Sequence, residues 1–201
     1  MTRLVSKTTA PITGMIRLKE EGERIDLEFM GTAVFEEDKL IGMLDEKETR
    51  GLLWVLGEIE SNTVVVDSAD QTGKIGVEIL KSNSKIKPEM KNGEFSIKID
   101  VTTSGRVVEL IGREDITDVK IFKALEERMA DTIKEEILLS IKKSKALRAD
   151  TFGFGDEINK IYHKEFEKIE GAWQEIFPKT EVNVEVEAKI LGIGTILKTF
   201  E

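Results

Sequence analysis

Residues Thr117–Arg148, TDVKIFKALEERMADTIKEEILLSIKKSKALR, and the Asp150-Thr-Phe-Gly-Phe-Gly155 turn after them decide how the rest of the chain is read. With Phe122 at zero on a helical wheel, Leu125, Met129, Ile133, Ile137 and Leu147 fall on one stripe. Ile121 and Leu139 lie on one shoulder and Ile141 on the other. That three-to-four spacing marks an amphipathic helix. No Pro or Gly interrupts it. Some thirty residues at about 1.5 Å each give a rod of about 45 Å, roughly three times the ordinary helix length. Ser140 and Ser144, one turn apart, are small enough to let another element approach the backbone. We expect this helix to back a domain, with a sheet over its apolar stripe.

Around that helix the chain alternates in a strand-like way. Ile12–Leu18 suits a strand, Glu21-Gly22 a turn, and Ile25, Leu27 and Phe29 alternate with Asp26 and Glu28 as a half-buried strand would. That strand continues to Phe35, Glu36–Lys39 connects, and Leu40–Leu44 returns as a hairpin. Asp45 and Glu48 have the spacing of a capping box ahead of a helix from Glu46 to about Leu56, closed by Gly57. Thr63–Val66 is a short β-branched run, and Asp70–Gly73 turns the chain. A strand from Ile75 extends to about Ile86, ahead of Pro88. Asn92-Gly93 signals a two-residue hairpin, Phe95–Val101 alternate, and Ser104-Gly105 turns into Val107–Ile111. After Gly155, Asp156 caps a helix that breaks near His163, and apolar spacing continues to Pro178. Val182, Val184, Val186, Ala188 and Ile190 form a final alternating strand that closes the sheet, bent by Gly192 and Gly194 before Thr195–Phe200. Strands first, helices next and a strand last make the class α+β, an antiparallel or mixed β-sheet on a long helix. We expect a loose lead-in over residues 1–11 and one α+β domain over 12–201.

Composition narrows the function. Of 201 residues, 34% are charged and 40% hydrophobic, as in a soluble globular chain. A net charge of -9 argues against general nucleic-acid binding, which needs a basic face, and against adhesion to anionic lipid. The absence of cysteine removes disulfides, thiol catalysis and cysteine-ligated metals. No apolar run approaches the roughly 18 residues of a membrane span, and Met1–Ser6 is too short and polar for a signal peptide.

No catalytic constellation emerges. His163 has no nucleophile motif beside it, and a surface or capping histidine is the better reading. Gly153-Phe-Gly155 lacks the third glycine and the Lys-Ser/Thr pair of a phosphate loop and follows a helix. It reads as a turn needing positive φ. Asp150 caps that turn, with a ligand contact as the sharper alternative, placed beside Phe154. Glu181, Glu185 and Glu187 lack the glycine-bearing loop of a calcium site, and Lys81, Lys85, Lys87 and Lys91 read as a solvated row on a hairpin. Asp38, Lys39 and Arg50 read as local ion-pair residues near the hairpin tip and first helix. Trp54 and Trp173 read as core. No cofactor is expected.

Two stretches together carry a resemblance. Gly31-Thr-Ala-Val-Phe-Glu-Glu-Asp-Lys-Leu-Ile-Gly-Met-Leu44 with Glu48-Thr-Arg-Gly-Leu-Leu-Trp54, and Ala149-Asp-Thr-Phe-Gly-Phe-Gly155 with Trp173 and Ile176-Phe-Pro178, resemble the C-terminal domain of the Ger(x)C spore germination proteins. The resemblance runs from about Ile12 to Ile190, in order. Where the family tends to carry a Pro and then a Trp, this chain has His163 and Phe166. The resemblance implies a non-enzymatic lipoprotein C subunit of a nutrient germinant receptor, with a multispanning B subunit and an A subunit as partners. It implies a place on the outer face of the spore inner membrane. The family's lipid-bearing cysteine is absent, so the chain is expected to be a soluble C-terminal fragment. Protein contact is the leading expectation, and direct binding of a small germinant is the alternative.

Overall fold

The computed structural model describes residues 2, 3, 6–22, 24–59, 62–68, 73–112 and 118–199. Strands β1 (Thr2–Arg3), β2 (Ile12–Glu21), β3 (Arg24–Glu36) and β4 (Lys39–Leu44) form one antiparallel sheet in chain order. Helix α1 (Glu46–Leu56) follows. Strands β5 (Thr63–Asp67), β6 (Lys74–Lys91), β7 (Glu94–Ile111) and, at the end of the chain, β8 (Glu181–Thr199) form a second sheet, also in chain order. Between β7 and β8 come the long helix α2 (Val119–Ala146), α3 (Phe154–Ile161), α4 (His163–Phe166) and α5 (Trp173–Ile176). The class is α+β as expected, with two four-stranded sheets where one was expected.

The chain divides into two compact units. One comprises Met1–Leu52, Ile86–Ile99 and Glu136–Asn183, the other Leu53–Lys85, Asp100–Glu135 and Val184–Glu201. The first buries Ile12, Val34, Leu44, Leu52, Ile137 and a set of aromatic rings. The second buries Trp54, Val64, Ile75, Val77, Leu125, Met129 and Ile133. In the second unit the Ile190 N–H of β8 donates to Glu126 Oε1 of α2 at 2.9 Å.

Local chemistry explains most boundaries. Asp45 Oδ1 accepts the Glu48 N–H at 2.8 Å and Glu48 Oε2 accepts the Asp45 N–H at 2.9 Å, a reciprocal capping box that starts α1 where the spacing predicts. Asn92 and Gly93 have φ of 53° and 82°, the two positive values that a type I′ turn between β6 and β7 requires. On α2, Leu125, Met129, Ile133, Ile137 and Ile141 are buried, so the expected stripe is the real one. Leu139 is exposed. The break expected near His163 falls at Tyr162, between α3 and α4.

Three expectations need correction. β6 runs through Pro88 to Lys91. Among the described pairings β5 meets only Lys74–Glu78, which leaves the far half of β6 as an edge on that side, where a sheet tolerates a residue without an N–H. Ser104-Gly105 is not a turn, because β7 is continuous. A Cβ on Gly105 would stand 2.6 Å from the Glu78 carbonyl oxygen and 2.7 Å from Val77 Cγ1, so the glycine serves close approach. Ile25, Leu27 and Phe29 alternate as expected but are exposed, not half-buried. Thr117, Phe200 and the Asp70–Thr72 part of the expected turn lie outside the described residues.

Candidate functional site

The site grows from the end of α2. The Arg148 N–H bonds to the Lys145 carbonyl and the Ala149 N–H to the Ser144 carbonyl, both at 3.0 Å. Arg148 itself has a φ of 53°. This is a Schellman-type stop with an arginine in the left-handed position usually taken by glycine. The chain then folds back over its own end, and Ser144 Oγ and Thr151 Oγ1 share a buried hydrogen bond of 2.8 Å.

Asp150 organises the turn. Its Oδ1 accepts the N–H groups of Phe152, Gly153 and Phe154 at 3.2, 2.9 and 3.1 Å. Its Oδ2 accepts the Gly155 N–H at 2.8 Å and the Trp173 indole N–H at 3.0 Å. Those backbone donors open α3, so the carboxylate satisfies groups that a helix start leaves orphaned. Gly153 precedes α3 with φ 78° and ψ 33°, which glycine adopts without strain. Asp150 is 3% exposed. Burial pushes its carboxyl above the ordinary range, and the N–H donors of Gly155, Phe154, Trp173 and Gly153 oppose that shift.

Aromatic rings and the lead-in segment hold this turn. Phe152 stacks on Phe154 with centroids 4.9 Å apart, Phe154 meets Phe177 at 6.2 Å, and Trp173 meets Phe166 and Phe177 at 5.4 and 6.1 Å. Thr8 and Thr9 hydroxyls donate to the two oxygens of Asp156 at 3.0 and 2.8 Å. The Ala10 N–H donates to the Asp150 carbonyl at 2.9 Å. A Cβ on Gly155 would meet Thr8 Oγ1 and Trp173 Nε1, each at 2.8 Å. The glycine is there so that both can come close.

Beside the turn lies a cleft of about 510 Å³, walled by residues 6–11, Phe35, Glu36, Glu37, Ile41, Arg148–Asp150, Glu170, Gly171, Trp173, Gln174 and Phe177. Its charged side chains are Lys7, Arg148, Glu36, Glu37, Glu170 and Asp150. Of the predicted site residues, only Asp150 lines it. Gly153, Phe154 and Gly155 are buried in the turn. Asp38 sits in the exposed turn between β3 and β4, and Lys39 is exposed opposite Glu36 in the ladder.

Arg50 is not part of a local pair. Its guanidinium grips Glu136 of α2, with Nε donating to Oε2 at 2.8 Å and Nη2 to Oε1. The Glu136 side chain is 5% exposed and that of Arg50 23%. The Glu136 hydrogen bond raises Arg50 above its ordinary value, against desolvation. Glu136 is absent from the residues singled out in the sequence, yet it carries a readable signal, since on the wheel it falls between Leu125 and Met129 in the apolar stripe. Thr8, Thr9 and Asp156 carry no such signal for their pairing. Exposed His163 has Nδ1 2.8 Å from Asn159 Oδ1 and does not line the cleft. Among the described residues no group of three or more His, Cys, Asp or Glu is placed to hold a metal, and no helix is long and apolar enough to cross a membrane.

Comparison with known proteins adds a family. The model of "Spore germination B3/GerAC like, C-terminal" matches residues 30–194. The chain belongs to that family, the Ger(x)C proteins. It is similar to spore germination protein B3 of Bacillus subtilis, 29% identical over 80% of this chain and 43% of that protein. It is also similar to spore germination protein KC of Bacillus subtilis, 26% identical over 82% of this chain and 41% of that protein. The fold is that of the GerBC crystal structure, with a TM-score of 0.76 over 90% of this chain and 56% of that one, at 24% identity. The chain thus spans about half the length of the curated relatives it matches. The Asp150 turn and Trp173 lie inside the family match, whereas the cleft wall at residues 6–11 lies before it.

Proposed function

We propose that this chain is a contact domain of a germinant-receptor C subunit, working in nutrient-triggered spore germination by binding other proteins and catalysing nothing. The observation that carries the reading is the family match over residues 30–194. The site agrees with it. Asp150 meets five N–H groups of its own fold, which makes it an anchor for the turn. The partners on this reading are the receptor's A and B subunits. The full-length protein is lipid-anchored on the outer face of the spore inner membrane. The family match crosses both compact units, which supports treating residues 12–201 as one functional domain. Deleting residues 12–201 from the full-length protein should abolish receptor assembly and germination together. Unchanged germination would refute the reading.

A second reading rests on the cleft. Its volume of about 510 Å³ and its carboxylates beside Lys7 and Arg148 suit a small polar germinant. Calorimetry with a germinant panel tests it. Heat that disappears in Arg148→Ala supports direct binding, and no heat at millimolar ligand removes it.

A further inference from the structure

The distal half of the β2–β3 hairpin is an arm with two unlike faces. Register pairs Ile16 with Phe29, Leu18 with Leu27 and Glu20 with Ile25. Strand alternation puts these six side chains on one face. The other face carries Arg17 opposite Glu28 and Lys19 opposite Asp26. Opposite charges thus face each other across the strands, and Arg17 and Glu28 form an ion pair. At these two positions the charged face therefore has opposite charges within the arm.

The apolar face does not. Among the described residues β4 pairs only with Thr32 to Glu36, and β1 only with Ile12 and Thr13. Among the described pairings, the arm's strands have only each other. Ile16, Leu18, Ile25, Leu27 and Phe29 are between 47% and 68% exposed. Together they bare on the order of 600 Å², the top of the range found on soluble monomers. That approaches the roughly 800 Å² that each partner contributes to a standard specific interface. A two-stranded hairpin is marginal without a third layer or strand.

We propose that this face docks a different protein chain of the receptor, one that presents an apolar strip ending in a Lys or Arg that meets Glu20. This rests on the protein-contact reading above. Charge selects the occupant. Among the six side chains of the face Glu20 alone is charged, so a second copy laid face to face would bring it no cation. From residue 16 to 29 acidic side chains outnumber basic ones five to three, which disfavours an anionic lipid surface. A heterologous protein with a terminal cation satisfies both the apolar area and the carboxylate.

The test uses the full-length protein in spores, with benzoylphenylalanine at position 18 or 27, and at exposed position 168 as control. After irradiation, mass spectrometry identifies the adducts. Adducts from 18 and 27, but not 168, to another receptor chain are expected. Glu20→Lys should lower their yield by at least about tenfold, the loss expected when a matched charge becomes a repelled one, while Glu20→Asp should hold it within about twofold. Adducts only to a second copy, only to lipid, or only within the same polypeptide would overturn the proposal, as would no adduct from an assembled receptor. A Leu18→Glu/Leu27→Glu protein, checked for an unchanged melting temperature, separates the two ideas. If it assembles normally while deletion of residues 12–201 prevents assembly, the arm proposal falls and the contact reading stands. If the deletion also leaves assembly intact, both fall.

Discussion

Ser144 and Ser140 occupy the same stripe of α2 one turn apart, and their hydroxyls differ. Ser144 shares a buried hydrogen bond with Thr151, whereas Ser140 Oγ, also buried, makes none among the described residues. Ser144→Ala should therefore cost about 1–3 kcal/mol by orphaning Thr151. Ser140→Ala should be neutral or slightly stabilising, since it removes a buried polar group without a partner. Urea unfolding of the two variants checks the pair of outcomes. Asp150→Ala should be far more costly, about 4 kcal/mol or more, because it leaves four backbone N–H groups and one indole N–H without their acceptor. A loss below about 1 kcal/mol by the same measurement would contradict the anchoring role. The sequence marks Asp150 as a cap because an Asp before a Gly-rich turn is a local signal. Its fifth donor, Trp173, lies 23 positions away, and no local pattern specifies such a pairing. The same holds for Thr8 and Thr9 on Asp156, more than a hundred residues apart.

Elements are legible where one period or one turn decides them. The α1 capping box, the Asn92-Gly93 hairpin and the α2 stripe each depend on a few adjacent residues. The elements that differ from expectation depend on neighbours in space. Gly105 looks like a turn residue until Glu78 and Val77 are placed against it, and Pro88 looks like a strand end until β5 is seen to stop short. The contact of α1 with α2 is of the same kind. A Cβ on Gly51 would stand 2.0 Å from the Glu136 carbonyl oxygen and 2.9 Å from Ser140 Cβ. Gly51→Ala gains up to about 1 kcal/mol of helix propensity but forces the helices apart, which costs about 1–3 kcal/mol for overpacking. We expect net destabilisation, read as a lower melting temperature. Arg50 and Glu136 lock the same contact. Removing either alone should cost about 3 kcal/mol, since it breaks a bidentate and largely buried ion pair. Combining Arg50→Leu with Glu136→Met should cost less than the sum of the two single changes, and a double-mutant cycle reports the coupling.

For the whole molecule, the fold class follows from the order of strands and helices, whereas the number of sheets does not. A strand that pairs at an edge has the same alternation as one that closes a sheet, so alternation alone does not assign β8 to the second sheet. Alternation also cannot say what covers an apolar face, which is why Ile25, Leu27 and Phe29 look half-buried in the sequence and are bare in the structure. The functional reading belongs to this scale, because family membership rests on residues 30–194 taken together and the turn's chemistry is turned inward. Its most direct test is crosslinking mass spectrometry of the intact receptor, mapped onto residues 12–201. Crosslinks from this region to other receptor subunits are expected. An assembled receptor with abundant crosslinks elsewhere and none from residues 12–201 would contradict it.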